Sequence, residues 1–302
     1  MSIYVEIRVR APMDAVWAHT QTPELHESWD LRFSTIEYLP RIDDGSPQRF
    51  RYATRIGFGF EISGEGEAIG HRDSPDGSST SALRFWSEAP LSLIREGSGY
   101  WKYIPMPDGV RFLTWYDYRT RFGVPGAVFD RMIFRPLIGW ATAWSFDRLR
   151  LWLENRVDPQ VAIRLTCIHL LTRVALAAVF AYQGLVPKLL ARHADEIAMM
   201  QAAGVPATQS VAALGALGLA EVALAVALLV ASCRAWPLWL CLVAIPIATA
   251  VVASSSPAFF GAAFNPFSLN VSVAALTAVD LLVMAGVPCA GRCLRRPVPE
   301  KP

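Results

Sequence analysis

From Ile3 to Val9 the chain alternates: Ile3, Val5, Ile7 and Val9 are apolar, while Tyr4, Glu6, Arg8 and Arg10 are polar. A period of two predicts a strand with one buried face. Pro12 opens a short helix over about 13–20, and a second is predicted over 23–28. Six strand-like runs follow, at about 32–41, 48–57, 60–72, 80–89, 93–105 and 109–122. Turn-forming segments such as Ser74-Pro75-Asp76-Gly77 separate them. In the last run Val110, Phe112, Thr114, Tyr116 and Tyr118 face one way, and Arg111, Leu113, Trp115, Asp117 and Arg119 the other. The period then lengthens. Phe129, Ile133, Leu137, Trp140, Trp144 and Trp152 recur at helical spacing between Pro125 and Asn155, a stripe expected to pack on the concave side of a curved antiparallel sheet. Pro136 should bend that helix or break a turn.

After Asp158 the pattern changes again. About 20 apolar residues at 1.5 Å each cross roughly 30 Å of hydrocarbon. Four segments meet that length, about 164–186, 209–231, 236–254 and 268–288. No charged residue occurs from Ala235 to Val279. Two domains follow, 1–158 and 159–302. Charge supports the split, because residues 1–158 hold 19 of the 28 Lys/Arg and 21 of the 26 Asp/Glu. A formal net charge of +2 offers no electrostatic case for nucleic acid. Arg156, Arg164, Arg234, Arg292, Arg295 and Arg296 fall on one side of the spans, against Lys188 and Arg192 on the other. By the positive-inside rule both termini and the first domain face the cytoplasm, in a multi-pass inner-membrane protein. Residues 1–20 lack the apolar core of a signal peptide, which agrees with that orientation.

The opening strand, then Ala11-Pro12-Met13-Asp14-Ala15-Val16-Trp17, then Trp29-Asp30 before a strand, and the long closing helix resemble the helix-grip fold of START/polyketide-cyclase-like (SRPBCC) domains. The resemblance covers 1–155 and implies an α+β domain whose cavity accepts apolar ligands. Members range from lipid carriers to cyclases, so fold does not give the reaction. Trp29, Trp86, Trp101, Trp115, Tyr116, Trp140 and Trp144 are the candidate cavity walls; the alternative for each ring is plain core packing. Asp30 is either a carboxylate at the cavity mouth or an N-cap or surface ion pair. No Ser/His/Asp arrangement or metal-ligand set stands out, so no catalytic residue is assigned.

In the second half, Gln183-Gly184-Leu185-Val186-Pro187-Lys188, then His193, Asp195 and Glu196, then Glu221 within the second span and Asn265-Pro266 before the fourth, resemble the DoxX-like membrane family over about 164–288. The resemblance implies an all-α four-helix bacterial membrane domain, some of whose relatives belong to quinone-linked oxidoreductase systems. Arg173, Glu221 and Asp280 fall near the middle of their spans, and His169 lies one turn from Arg173. At about 2.5–3.5 kcal/mol each on insertion scales, such charges are expected to meet. The resulting His169/Arg173/Glu221/Asp280 cluster is either a polar pocket, for a quinone head group or a proton relay, or an ionic lock on the bundle. Lys188, His193 and Glu196 are expected at one interface. Three functions stay open: a membrane-anchored binder of an apolar small molecule or lipid, a quinone-linked oxidoreductase component, and a cyclase or hydrolase working in the soluble cavity.

Overall fold

The computed structural model describes residues 2–297, apart from 42, 44, 58 and 264. The chain forms two compact units, 1–162 with 288–302, and 163–287. Hydropathy places the boundary at 158/159 and leaves everything after it with the helices. The contacts return the segment after 287 to the first unit. Three interactions hold it there. Leu294 and Glu6 exchange backbone hydrogen bonds of 2.9 Å, extending the edge of the first strand. The buried Asp147 carboxylate accepts from the Cys289 amide at 2.7 Å and from Arg292 at 2.8 Å. The Cys293 thiol lies 3.2 Å from the Ala143 carbonyl.

The first unit runs β1 (Ile3–Val9), α1 (Met13–Gln21), α2 (Pro23–Trp29), β2 (Thr35–Tyr38), β3 (Arg49–Gly57), β4 (Phe60–Asp73), β5 (Ser79–Trp86), β6 (Ile94–Met106), β7 (Gly109–Thr120), α3 (Gly123–Phe129) and α4 (Arg135–Asn155). The strands form one antiparallel sheet in the order β1-β7-β6-β5-β4-β3-β2, with β1 and β2 at its edges. The period-two runs predict these strands to within a few residues, except that β2 is shorter than expected. Register fixes the buried face: Thr114 pairs with Val5 on one side and Trp101 on the other, and Phe112 with Ile7 and Tyr103. Phe146 of α4 stacks on Phe112 at 4.5 Å, and the Tyr116 hydroxyl meets Thr142 Oγ1 at 2.9 Å. Trp29, Tyr103, Phe112, Phe146 and Leu149 are fully buried between sheet and helices. Side chains of this kind contribute roughly 1.5–3 kcal/mol each when removed from water. This is the α+β helix-grip arrangement.

The long helix departs from expectation in its phase. Residues 130–134 form a π-helical turn just before Pro136. The face on the sheet is Phe134, Ile138, Thr142, Phe146 and Leu149. Phe129, Ile133, Leu137 and Trp140 of the predicted stripe are instead exposed, while Trp144 and Trp152 pack with the core.

The second unit contains α5 (Pro159–Gln183, starting in the first unit and continued by a π-helical segment to Leu190), α6 (Ala194–Ala202), α7 (Ala207–Val230), α8 (Trp236–Ser255) and α9 (Pro266–Val283). Among the described residues four helices are long and apolar enough to span a bilayer: Pro159–Leu190, Ala207–Val230, Trp236–Ser255 and Pro266–Gly286. They match the predicted spans. Leu176, Leu228, Leu238, Cys241 and Val273 form the internal core. Leu171, Leu219, Val230, Trp239 and Leu282 are more than half exposed, an outer surface that fits lipid. Asn265 accepts a 2.9 Å hydrogen bond from the Ser268 amide and caps α9, with Pro266 in its first turn.

Candidate functional site

In the first unit a polar network and an aromatic floor adjoin on the concave side of the sheet. Asp30, just past the end of α2, is fully buried. Arg32 grips it with two hydrogen bonds, Nε to Oδ1 at 2.9 Å and a terminal nitrogen to Oδ2 at 2.6 Å, and His26 Nε2 is 3.1 Å from Oδ2. Burial alone would raise the Asp30 carboxyl; the Arg32 charge and the hydrogen bonds from His26 and Arg32 overcome it and hold Asp30 well below the usual carboxylate range. Burial wins at His26 and lowers its imidazole, despite the favourable carboxylate. Arg148 is buried too, donating to the carbonyls of Pro159 and Trp29, and burial lowers its guanidinium to about 10.

The Arg32 guanidinium lies 5.6 Å from the Tyr116 ring and 5.4 Å from Phe33. Phe33 contacts Tyr52 edge to face at 5.6 Å, and Tyr52 neighbours Phe50. Tyr52, Phe50 and Phe85 lie across Gly64, Gly66 and Gly97 of neighbouring strands, where a Cβ would collide with each ring. The rings therefore lie down along the sheet and form a floor that keeps partial exposure. α4 packs on β1 and α2 on β2, so the helices cover the two edges more than the strands between them. The result is an open trough, apolar along its length and ionic at one end. Two concavities lie elsewhere, beside β1: one of about 300 Å³ lined in part by Arg8, Arg10, Asp108 and Glu154, the other of about 290 Å³ lined in part by Glu6, Arg8, Arg150 and Arg292.

The predicted wall residues divide. Trp29, Trp101, Tyr116 and Trp144 are interior. Trp115 and Trp86 are on the convex face, because each alternates with a neighbour, Tyr116 or Phe85, that points inward. Trp115 stacks on Tyr100 there at 6.0 Å, and Trp86 lies beneath Arg49 and Arg84. Trp140 is exposed on the outer side of α4. Asp30 is neither an N-cap nor a surface pair: it ends α2 as its C-cap residue, with the carboxylate buried. The floor residues Phe50, Tyr52 and Phe85 escaped the sequence reading, although Gly64-Glu65-Gly66 and Gly97-Ser98-Gly99 marked a strand face kept free of side chains.

In the helical unit the charged groups form two clusters, not one. Asp280 on α9 bridges His169 Nδ1 at 2.6 Å and Arg173 Nε at 2.6 Å, both on α5. Arg173 also donates to the carbonyls of Leu228, at 3.1 Å, and Arg234, at 2.8 Å. Glu221 takes no part. It pairs with Lys188 at 3.1 Å, and Lys188 lies 3.5 Å from Glu196 on α6. Mid-helix placement did not put Arg173 and Glu221 at one depth, since Arg173 reaches α7 near Leu228, seven residues or about 10 Å of helix rise beyond Glu221. Lys188 is buried against Glu221. His193 is exposed and caps α6, accepting from the Asp195 amide at 3.4 Å.

A seven-stranded helix-grip domain is thus joined to four long apolar helices, and the DoxX-like family model matches residues 177–278. The chain belongs to the family of the uncharacterised membrane protein YndG of Bacillus subtilis (strain 168), being 48% identical to it over 183 residues that cover 60% of this chain and 68% of that protein. Among solved structures, the STAR-related lipid transfer protein of Xanthomonas axonopodis aligns at TM-score 0.39 and 18% identity, over 50% of this chain and 85% of that one. The Zhui aromatase/cyclase of Streptomyces sp. R1128 aligns at TM-score 0.33 and 16% identity, over 50% and 96%.

Two predictions follow from these clusters. Asp280→Ala leaves Arg173 buried without its carboxylate and should cost about 3–5 kcal/mol of stability. In a double-mutant cycle monitored by unfolding in detergent, Arg173 and Asp280 couple strongly while Arg173 and Glu221 are additive within about 0.5 kcal/mol; strong coupling in the second cycle would restore the single cluster. His26, lowered in the folded state, binds fewer protons there than when unfolded, so its contribution is complete above its unfolded pKa of about 6.5 and declines below it. Asp30 adds a second decline below its unfolded value of about 4. The Trp-fluorescence melting point should fall from pH 7.5 to pH 5, less steeply in His26→Gln; identical slopes in the two proteins would show that His26 plays no part.

Proposed function

We propose that the chain is a membrane-bound receptor for an apolar small molecule or lipid, held on the concave face of its helix-grip domain. The observation that carries this reading is the aromatic floor of Phe33, Tyr52, Phe50 and Phe85, open to the outside and ending at the buried Asp30–Arg32–His26 network. A ligand with a long apolar body and one polar end matches it: the body lies on the rings, and the polar end meets the partly exposed Arg32. Mostly apolar sites with a few convergent polar groups are the usual form of small-molecule binding surfaces. Nothing in the network pairs a free acid with a free base over the trough, which favours binding over hydrolysis or cyclisation. The quinone-linked reading rests on a mid-membrane charged cluster and on family analogy, and the charged residues fall into two separately paired clusters. We place the protein in the inner membrane with both termini cytoplasmic, on the Lys/Arg distribution.

Native mass spectrometry of the full chain in mild detergent should show a co-purified apolar ligand. Phe85→Ser should weaken binding of a fluorescent fatty acid about tenfold, equivalent to about 1.4 kcal/mol. A ligand-free protein, with equal probe affinity in parent and variant, would sink the proposal. A periplasm-dependent reporter fused after residue 297 should be inactive; activity would reverse the orientation.

A further inference from the structure

The outer face of the long helix is apolar and uncovered. Val124 is 76% exposed, Met132 73%, Leu137 56% and Ile133 54%, with Val128 and Trp140 about half exposed. These residues lie on α3, the π turn and the first half of α4, away from the side that packs on the sheet. A stripe of this length on a domain that is otherwise charged marks an interaction site. We infer that this face lies in the head-group region of the bilayer, so that the helix is an in-plane amphipathic anchor in addition to the gripping element of the fold.

Four observations select a lipid surface as the occupant. The chain enters its first span at Pro159, three residues after α4 ends at Asn155, and three residues reach at most about 11 Å. The domain is therefore always within reach of head groups. Its other end is also tied, since the segment that leaves the last span after Val287 runs along α4, from Asp147 to Ala143 and on to Pro136, where Arg295 donates to the carbonyl at 3.3 Å. Both connections to the spans meet α4 in its second half, at Asn155 and beside Asp147, so this helix, more than the far strands of the sheet, stays next to the lipid surface. The face carries the residues that enter the boundary between head groups and chains, Trp, Leu, Ile, Met and Val, to a depth of about 5–10 Å. Its charge is also suitable. Arg131 is exposed in the same stretch, whereas Asp130, the acidic residue there, is buried and neutralised by Arg135 at 2.7 Å and by the Tyr118 hydroxyl at 2.6 Å. Anionic head groups meet a free guanidinium and no free carboxylate.

The test uses the full chain, with exposed Cys167 changed to Ser, in vesicles of phosphatidylcholine with and without phosphatidylglycerol. Spin labels are placed by Met132→Cys and Leu137→Cys on the face, and by Arg72→Cys on the exposed end of β4 as an aqueous reference. All three sites are exposed, so labelling should not disturb folding. The expected result is a ratio of oxygen to nickel-complex accessibility severalfold higher at 132 and 137 than at 72, rising further with phosphatidylglycerol. Equal ratios at all three sites would place the face in water and overturn the inference. Labels at 132 and 137 that are immobilised and shielded from both reagents would also overturn it, because protein, a second copy included, would then cover the face.

Discussion

A charge placed in hydrocarbon has no water to stabilise it, and the cost falls only when an opposite charge and hydrogen-bond partners reach it. The helical unit is organised around that requirement. Asp280 gives one oxygen to His169 and the other to Arg173, joining α9 to α5, while Arg173 spends further donors on carbonyls at the end of α7 and just beyond it. One buried carboxylate thus ties three segments together. The second cluster, Lys188 with Glu221 and Glu196, does the same for α6, α7 and the π-helical end of α5. The apolar outer positions between these points need no specific partner, since lipid supplies it.

The first unit meets a parallel constraint by a different route. Its buried charges sit at the ends of apolar layers. Asp30 with Arg32 and His26 closes one end of the concave face, and Asp147 with Arg150 and Arg292 fastens the C-terminal segment to the back of α4. Between them the core is aromatic, with Phe146 on Phe112 and Trp29 beside Trp101. Where the helices stop covering the sheet, glycines let rings lie flat, and the same aromatic chemistry that fills the core becomes a surface. That continuity gives the binding proposal its physical basis.

The fold carries one helix with two opposed uses. Its inner face completes the core through Ile138, Thr142, Phe146 and Leu149. Its outer face is apolar as well, through Met132, Ile133, Leu137 and Trp140. A helix apolar on both sides in a domain this small is explained when one side meets the sheet and the other meets a second apolar phase.

Some of this was determined along the chain. Period-two alternation from Ile3 to Val9 and from Val110 to Tyr118 defined strands and their buried faces, because a strand turns its side chains over at every residue whatever its neighbours do. Four long apolar segments defined the membrane unit, because bilayer thickness sets a length that composition alone can meet. Other features belong to the tertiary structure. In the long helix the sheet took the face of Ile138, Thr142 and Phe146, so Ile133, Leu137 and Trp140, which suggested a core face, turned outward. Glu221 went to Lys188 instead of Arg173 because depth along a helix depends on where side chains reach, not on a residue's place within its span. Asp30 stood out beside Trp29 in the sequence, but only the packing of α2 against β2 and α4 removed water from it and brought His26 and Arg32 onto it.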